Sequence, residues 1–211
     1  HGYAEQDPTL DVDGHDSAHK ISLLASLAFG TIFDFDEIPA CGIRGIDKRD
    51  VRFAKKFGYQ IKLLAFAKLD KSLVEVSVEP TLIPVGLLMA NVDGPMNAVS
   101  VEGNFVGHTL YYGQGAGSHP TASAVVADII EACRTINNLK GMEQVKINPE
   151  ITDHPVYTLM RKEDVVSGHY MRLEVSDKPG VLSEITGILA SQNVSVDRFF
   201  QEKSEDSNAE I

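Results

Sequence analysis

The stretch "GYAEQDPTLDVDGHDSAHK", Gly2 to Lys20, gathers Glu5, Asp7, Asp11, Asp13 and Asp16 and ends on a lysine. If a helix begins near Asp13, that residue can cap its start. Asp13, Asp16 and Lys20 then fall at i, i+3 and i+7 and line one stripe, within reach of a common ligand. A lysine set among carboxylates presents a charged ammonium, which can polarise a carbonyl and supply a proton as an alkoxide forms. Glu5 and Asp11, on the preceding loop, could hold a substrate ammonium group. Spacing alone leaves a plainer reading open, in which Asp16 and Lys20 form a solvated ion pair on a helix surface.

Three further groups could carry chemistry. "GQGAG" precedes a helical pattern, and its glycines, Gly115 and Gly117 among them, would let backbone amides approach a phosphate or a carboxamide. Its spacing is not the dinucleotide fingerprint, and a tight turn would use the same residues. "DKPG", Asp177 to Gly180, can cap the helix that follows and leave amides open to a small anion, or serve as a turn alone. His15 and His19 stand four apart, but no third ligand accompanies them and HExxH is missing, so no metal site is expected.

The elements that must position these groups can be read from periodicity. "HDSAHKISLLASLAFG" reads as a helix with Ile21, Leu24, Leu27 and Ala28 on its apolar face and Gly30 as its C-terminal cap. "IDKRDVRFAKKFG" reads as a short helix capped by Asp47 and ended by Gly58. "YQIKLLAFAKL" and "LVEVSVEPTLI" read as an antiparallel hairpin, and "MNAVSVEG" and "FVGHTLYYG" as another with its turn at Gly103-Asn104, giving a sheet of at least four strands. A helix follows, with Ser118 or Thr121 as its cap and Val125, Ile129, Ile130 and Cys133 on the face that closes the domain. Residues 138–168 read as a linker with one short element. Residues 169–211 read as a strand, a Pro-Gly turn, an amphipathic helix with Val181, Leu182, Ile185, Ile188 and Leu189, and a second strand, a unit cut short. The fold class is therefore α+β: a mixed or antiparallel sheet packed against helices, then a partial β-α-β unit.

Composition narrows the function. The chain has 211 residues, 43% of them hydrophobic, and a formal charge of −11, which argues against nucleic acid and anionic membranes as partners. Cys41 and Cys133 form no CxxC pair, no run of eighteen apolar residues occurs, and the N-terminus carries no leader pattern. A cytoplasmic protein is expected. The chain begins without methionine inside what reads as a loop, so a fragment of a longer protein is expected.

Taken in order, "GYAEQDPTLDVDGHDSAHK", "GYQIKLLAFAK", "NAVSVEGNFVG" and "YYGQGAGSHPTASAVVADI" resemble blocks of the homoserine dehydrogenase family over residues 1–137. Residues 169–211, with "DKPGVL", resemble the start of an ACT domain of ferredoxin-like fold. The resemblance implies reduction of L-aspartate 4-semialdehyde to L-homoserine with NADPH or NADH, on the route to threonine, isoleucine and methionine. It implies that Lys20 is the catalytic lysine, that Asp16 positions the reacting end with it, that Glu5 binds the substrate ammonium, and that Asp11 stands near the reacting hydroxyl. It implies that Gly2, Gly115 and Gly117 lie against the cofactor, and that threonine is sensed near Asp177 and Gly180, often at a subunit interface. A homodimer or higher homo-oligomer is expected. The family's N-terminal Rossmann domain and the segment with its monovalent cation site are not in this chain, so the isolated 211 residues are expected not to turn over. Gln6, His15 and Arg44 depart from the residues usual in the family. The alternative is a non-catalytic amino-acid-sensing and dimerisation module.

Overall fold

A computed structural model describes residues 7–139, 156–203 and 208–210. A single helical turn, α1 (Thr9–Val12), leads through Gly14, in the left-handed region at φ 83°, into α2 (His15–Phe29). Asp13 therefore does not cap α2: it ends α1, and no side chain caps α2. Gly30 closes α2 at φ 64° as expected, its N–H donating to the Ser26 carbonyl at 3.0 Å.

The buried stripe of α2 is Ala18, Ile21, Ser22 and Ala25, not the expected Ile21, Leu24, Leu27 and Ala28. Leu27 is 82% exposed, and Leu24 and Ala28 are also on the exposed face. The small side chains at 18 and 25 let the helix approach the sheet closely, which a leucine face would hold off. Ser22 Oγ donates to the Phe33 carbonyl at 2.8 Å, and the Phe33 amide donates to Ser26 Oγ at 3.1 Å, so the chain leaving α2 is stitched back along it.

α3 (Lys48–Lys56) starts at Asp47, whose carboxylate accepts from the Arg49 amide at 2.8 Å while the Asp47 amide donates to Asp50 at 2.8 Å. Each carboxylate satisfies one first-turn amide that the helix cannot. β1 (Tyr59–Asp70) and β2 (Leu73–Pro84) pair antiparallel in the register Tyr59↔Pro84 to Asp70↔Leu73. Val74, Val76 and Val78 alternate inward from β2 at 2% exposure or less, facing α2 together with Phe33 and Ile38. Burial of this kind contributes about 1.5–3 kcal/mol per side chain.

The second hairpin, β3 (Met96–Gly103) and β4 (Gly107–Gln114), forms its own two-stranded sheet instead of extending the first. Its loop is residues 104–106, so the turn begins at the expected Asn104 and is three residues long, with the left-handed glycine at Gly107, φ 72°. The third strand of the main sheet is instead β5 (Thr158–Leu159), from the expected linker, which pairs parallel with β2. Hydrophobic alternation specifies a strand but not its neighbour, which explains both differences. α4 (Ser118–Leu139) follows Gly117, and the cap Thr121 expected as an alternative lies in its first turn. Val125, Ile129, Ile130 and Cys133 do not close a core among the described residues, since all stay exposed.

At the C-terminus, β6 (Glu174–Ser176), α5 (Val181–Ser191), β7 (Glu202–Lys203) and β8 (Asn208–Glu210) form a small antiparallel sheet in the order β6-β8-β7 with one helix. The expected second strand is only the two residues of β7, because the chain before it turns to α3. Phe200 meets Phe53 edge-on with centroids 5.7 Å apart, and Arg198 donates to the Phe57 carbonyl at 2.7 Å. Lys56 and Arg52 both pair with Glu202.

Asp50, only 6% exposed, is the centre of this junction. Arg172 Nε donates to it at 2.6 Å and Tyr170 Oη at 3.0 Å. Burial alone would raise its carboxyl, but the hydrogen bonds from Arg172, the Asp47 amide and Tyr170 outweigh burial and hold it below the ordinary 3.8. Burial and the same carboxylate push the Tyr170 hydroxyl up to about 12. Asp50→Asn leaves Arg172 without its counter-charge and is expected to cost about 2–4 kcal/mol in urea unfolding at neutral pH. A carboxylate with a depressed folded pKa stabilises fully above its unfolded value and loses that contribution as pH falls through the folded one. The gap between wild type and variant should therefore close as the pH falls below the ordinary value of 3.8.

Candidate functional site

The N-terminal half of α2 carries the candidate pair of Asp16 and Lys20. Lys20 Nζ donates to Asp16 Oδ2 at 2.6 Å, one turn apart, with the side chains 58% and 42% exposed. Their exposure follows from the stripe: Ala18, Ile21 and Ser22 face the sheet, so Asp16 and Lys20 lie off that stripe. Asp11 sits exposed on α1, one loop away. Glu5 and Gly2 lie outside the described residues.

Asp13 does not join Asp16 and Lys20. It forms a forked ion pair with Arg44, whose Nε donates to Oδ1 and whose Nη2 donates to Oδ2 at 3.2 Å. The stripe of three therefore reduces to a pair, because α2 begins two residues later than its spacing invites. His19 stacks flat on Phe35 with centroids 3.7 Å apart, and His15 meets the same ring edge-on. Among the described residues, no group of three His, Cys, Asp or Glu side chains comes together in a way that could hold a metal. No helix among them is long and apolar enough to cross a membrane.

The glycine loop is exposed and leads into the N-terminus of α4, with Gly117 at φ 115°. At Gly115 a Cβ would collide with the Asn97 side chain, and its amide donates to the Pro95 carbonyl at 3.0 Å. The loop thus passes tightly over β3.

Around "DKPG" a cavity of about 350 Å³ is lined by Ser176, Asp177, Lys178, Gly180 and Gln201, among others. Gly180, at φ 96°, is the residue preceding α5, and no side chain caps that helix, so Asp177 does not take the capping role expected of it. In the first turn of α5, the Val181 amide donates to the Lys178 carbonyl at 3.4 Å.

Two sets of residues escaped the sequence reading. The contact of Asp50 with Tyr170 and Arg172 spans 120 and 122 positions, although Asp50 itself could have been found from its place three residues after the cap Asp47. Arg44 was visible as an unusual residue, but its partner 31 positions away was not.

With this geometry in view, comparison with known proteins is decisive for the family. Residues 1–130 match the family model for homoserine dehydrogenase, and residues 169–211 match that for the ACT domain. A homoserine dehydrogenase of Neisseria gonorrhoeae is 43% identical over 200 residues, covering 95% of this chain and 46% of the relative. One of Helicobacter pylori is 45% identical over 208 residues, covering 98% and 47%. The crystal structure of a homoserine dehydrogenase from Thiobacillus denitrificans superimposes with a TM-score of 0.88 at 42% identity, over 98% of this chain and 47% of that one. The chain belongs to the homoserine dehydrogenase family. It spans about half the length of the curated relatives it matches.

An exposed ion pair contributes at most about 1 kcal/mol to stability. Lys20→Ala and Asp16→Asn are each expected to shift the unfolding free energy by less than that, as measured by urea titration. A loss of several kcal/mol would mark the pair as part of the fold instead.

Proposed function

We propose that the protein containing this chain reduces L-aspartate 4-semialdehyde to L-homoserine in the cytoplasm, serving threonine, isoleucine and methionine synthesis, and that this chain supplies the substrate half of the site. The observation that carries the reading is the 2.6 Å pair of Lys20 and Asp16, exposed on α2 beside the acidic turn, in a chain of this family.

Negative charge develops on the carbonyl oxygen as it is reduced, and the Lys20 ammonium is the donor placed to meet it and to give up a proton. Asp16 holds that ammonium in place through its hydrogen bond. Glu5 offsets the substrate ammonium, and Asp11 stands near the reacting hydroxyl. NADPH or NADH, when bound, supplies the hydride. Gly115 and Gly117, with Gly2, let backbone come close to the nicotinamide, and the exposed loop ahead of α4 fits that use. Water must be kept from the pair during the reaction, because Lys20 is 58% exposed here, so further chain must cover it. Any monovalent cation that the protein uses belongs, on this reading, to sequence upstream of Gly2. The division into a substrate-binding and dimerisation domain at 1–137, a linker at 138–168 and a regulatory unit at 169–211 belongs to the same reading, as does a homodimer or larger homo-oligomer.

The test is homoserine oxidation, followed by NADPH absorbance, in the full-length protein and its Lys20→Ala variant. Loss of a general acid is expected to lower the rate by about two orders of magnitude or more. An active variant would remove Lys20 from the chemistry, and an inactive full-length protein would favour a sensing module without catalysis.

The cavity at Asp177 and Gly180 has the size and the uncapped helix turn to take an amino acid, and threonine is the proposed ligand. Calorimetric titration of the full-length protein with threonine is expected to show saturable heat that Asp177→Ala weakens. Absence of heat at millimolar threonine would contradict it.

A further inference from the structure

Asp13 is the carboxylate of the described acidic turn that the proposed reaction leaves unassigned beyond Asp7, and its grip on Arg44 needs a reason. α1 has four residues, no side chain of its N-cap residue closing it and no buried residue. A helix of one turn does not sustain itself in water. Yet this turn carries Asp11 and passes the chain through Gly14 to Asp16 and Lys20.

What lies against it is the segment 39–44. At one end this segment is fastened to the core: the Val78 amide donates to the Pro39 carbonyl at 2.9 Å, the Cys41 amide donates to the Val78 carbonyl at 2.8 Å, and Val78 is 1% exposed. At the other end it holds the turn. The Ile43 amide donates to the Val12 carbonyl at 2.8 Å, and Arg44 forks onto Asp13 and reaches Thr9 Oγ1 at 3.4 Å. Between the two, Gly42 passes so close that a Cβ would collide with the Val12 carbonyl and Asp13 Cα. Asp13 is held below the ordinary carboxylate value by its hydrogen bond from Arg44, consistent with a formed pair.

We infer that Arg44 and Gly42 are positioning residues: segment 39–44 transmits the rigidity of β2 to the acidic turn, and by gripping Asp13 it sets where Asp11 stands relative to the substrate. Arg44 touches neither substrate nor cofactor in this arrangement and acts through the turn. α2 is anchored separately by Ala18, Ile21 and Ala25, so Lys20 keeps its place when the clamp is lost. The expected signature is therefore selective. A turn that is ordered only part of the time weakens binding in proportion to its ordered fraction, so KM for homoserine rises while kcat at saturation is largely kept.

The inference about substrate rests on the homoserine dehydrogenase reading; the clamp itself does not. Both are tested in the full-length protein by comparing wild type, Arg44→Ala, Asp13→Asn and the double variant in two measurements. Amide hydrogen exchange at Val12, Asp13 and Ile43 should quicken about tenfold or more in each variant, with the amides of residues 21–25 unchanged. KM for homoserine should rise about tenfold with kcat within about threefold, and the double variant should be no worse than either single one, since both remove the same pair. Unchanged exchange in both single variants overturns the clamp. Quicker exchange with KM unchanged, or a loss confined to kcat, overturns the positioning role. If the wild-type protein fails to oxidise homoserine, the functional reading falls, and the exchange measurement still decides the clamp.

Discussion

The close packing of α2 on β2 is the constraint from which the rest of the arrangement follows. Ala18 and Ala25 bring the helix down onto Val74, Val76 and Val78, and Ile21 fills the space between. Once that face is committed inward, the i,i+4 geometry of the helix leaves Asp16 and Lys20 on its outer side, paired and exposed. Exposure of a charged pair would be of little consequence on an ordinary surface helix. Here the pair opens onto an acidic turn that is itself fastened to the core, so the charges sit on a fixed support instead of a mobile loop.

The same logic extends to the C-terminal unit. α3 is capped by Asp47 and Asp50 at its start, and Asp50 also binds Tyr170 and Arg172. One buried carboxylate thus closes a helix end and ties the start of the segment that matches the ACT domain to the helix that follows the lysine's. The aromatic contacts of Phe200 with Phe53 and Phe57 continue this junction along the helix. The cavity at "DKPG" belongs to the unit held there.

Much of the local structure was legible in the sequence because it is decided locally. Asp47 as a cap, Gly30 and Gly58 as helix ends, and the pairing of Tyr59–Asp70 with Leu73–Pro84 all depend on neighbouring residues, and all hold. The pair Asp16 and Lys20 was legible for the same reason. What could not be read is what distance decides. Leu24 and Leu27 look like the core face of α2, yet alanines take that place because the sheet lies close. β3 and β4 alternate as strands should, but nothing in their pattern says which sheet they join. Asp13 looks like part of the reactive stripe until Arg44, 31 positions on, draws it away.

The central claim is that Lys20 and the acids around it hold an amino-acid aldehyde or its alcohol. It is tested most directly by a crystal structure of the full-length protein with L-homoserine and an oxidised nicotinamide cofactor bound. The expected result places the homoserine hydroxyl about 3 Å from Lys20 Nζ, within hydrogen-bond reach, with its ammonium toward Glu5 and its reacting end beside Asp11. Homoserine bound elsewhere, with Lys20 still closed only on Asp16, would contradict it.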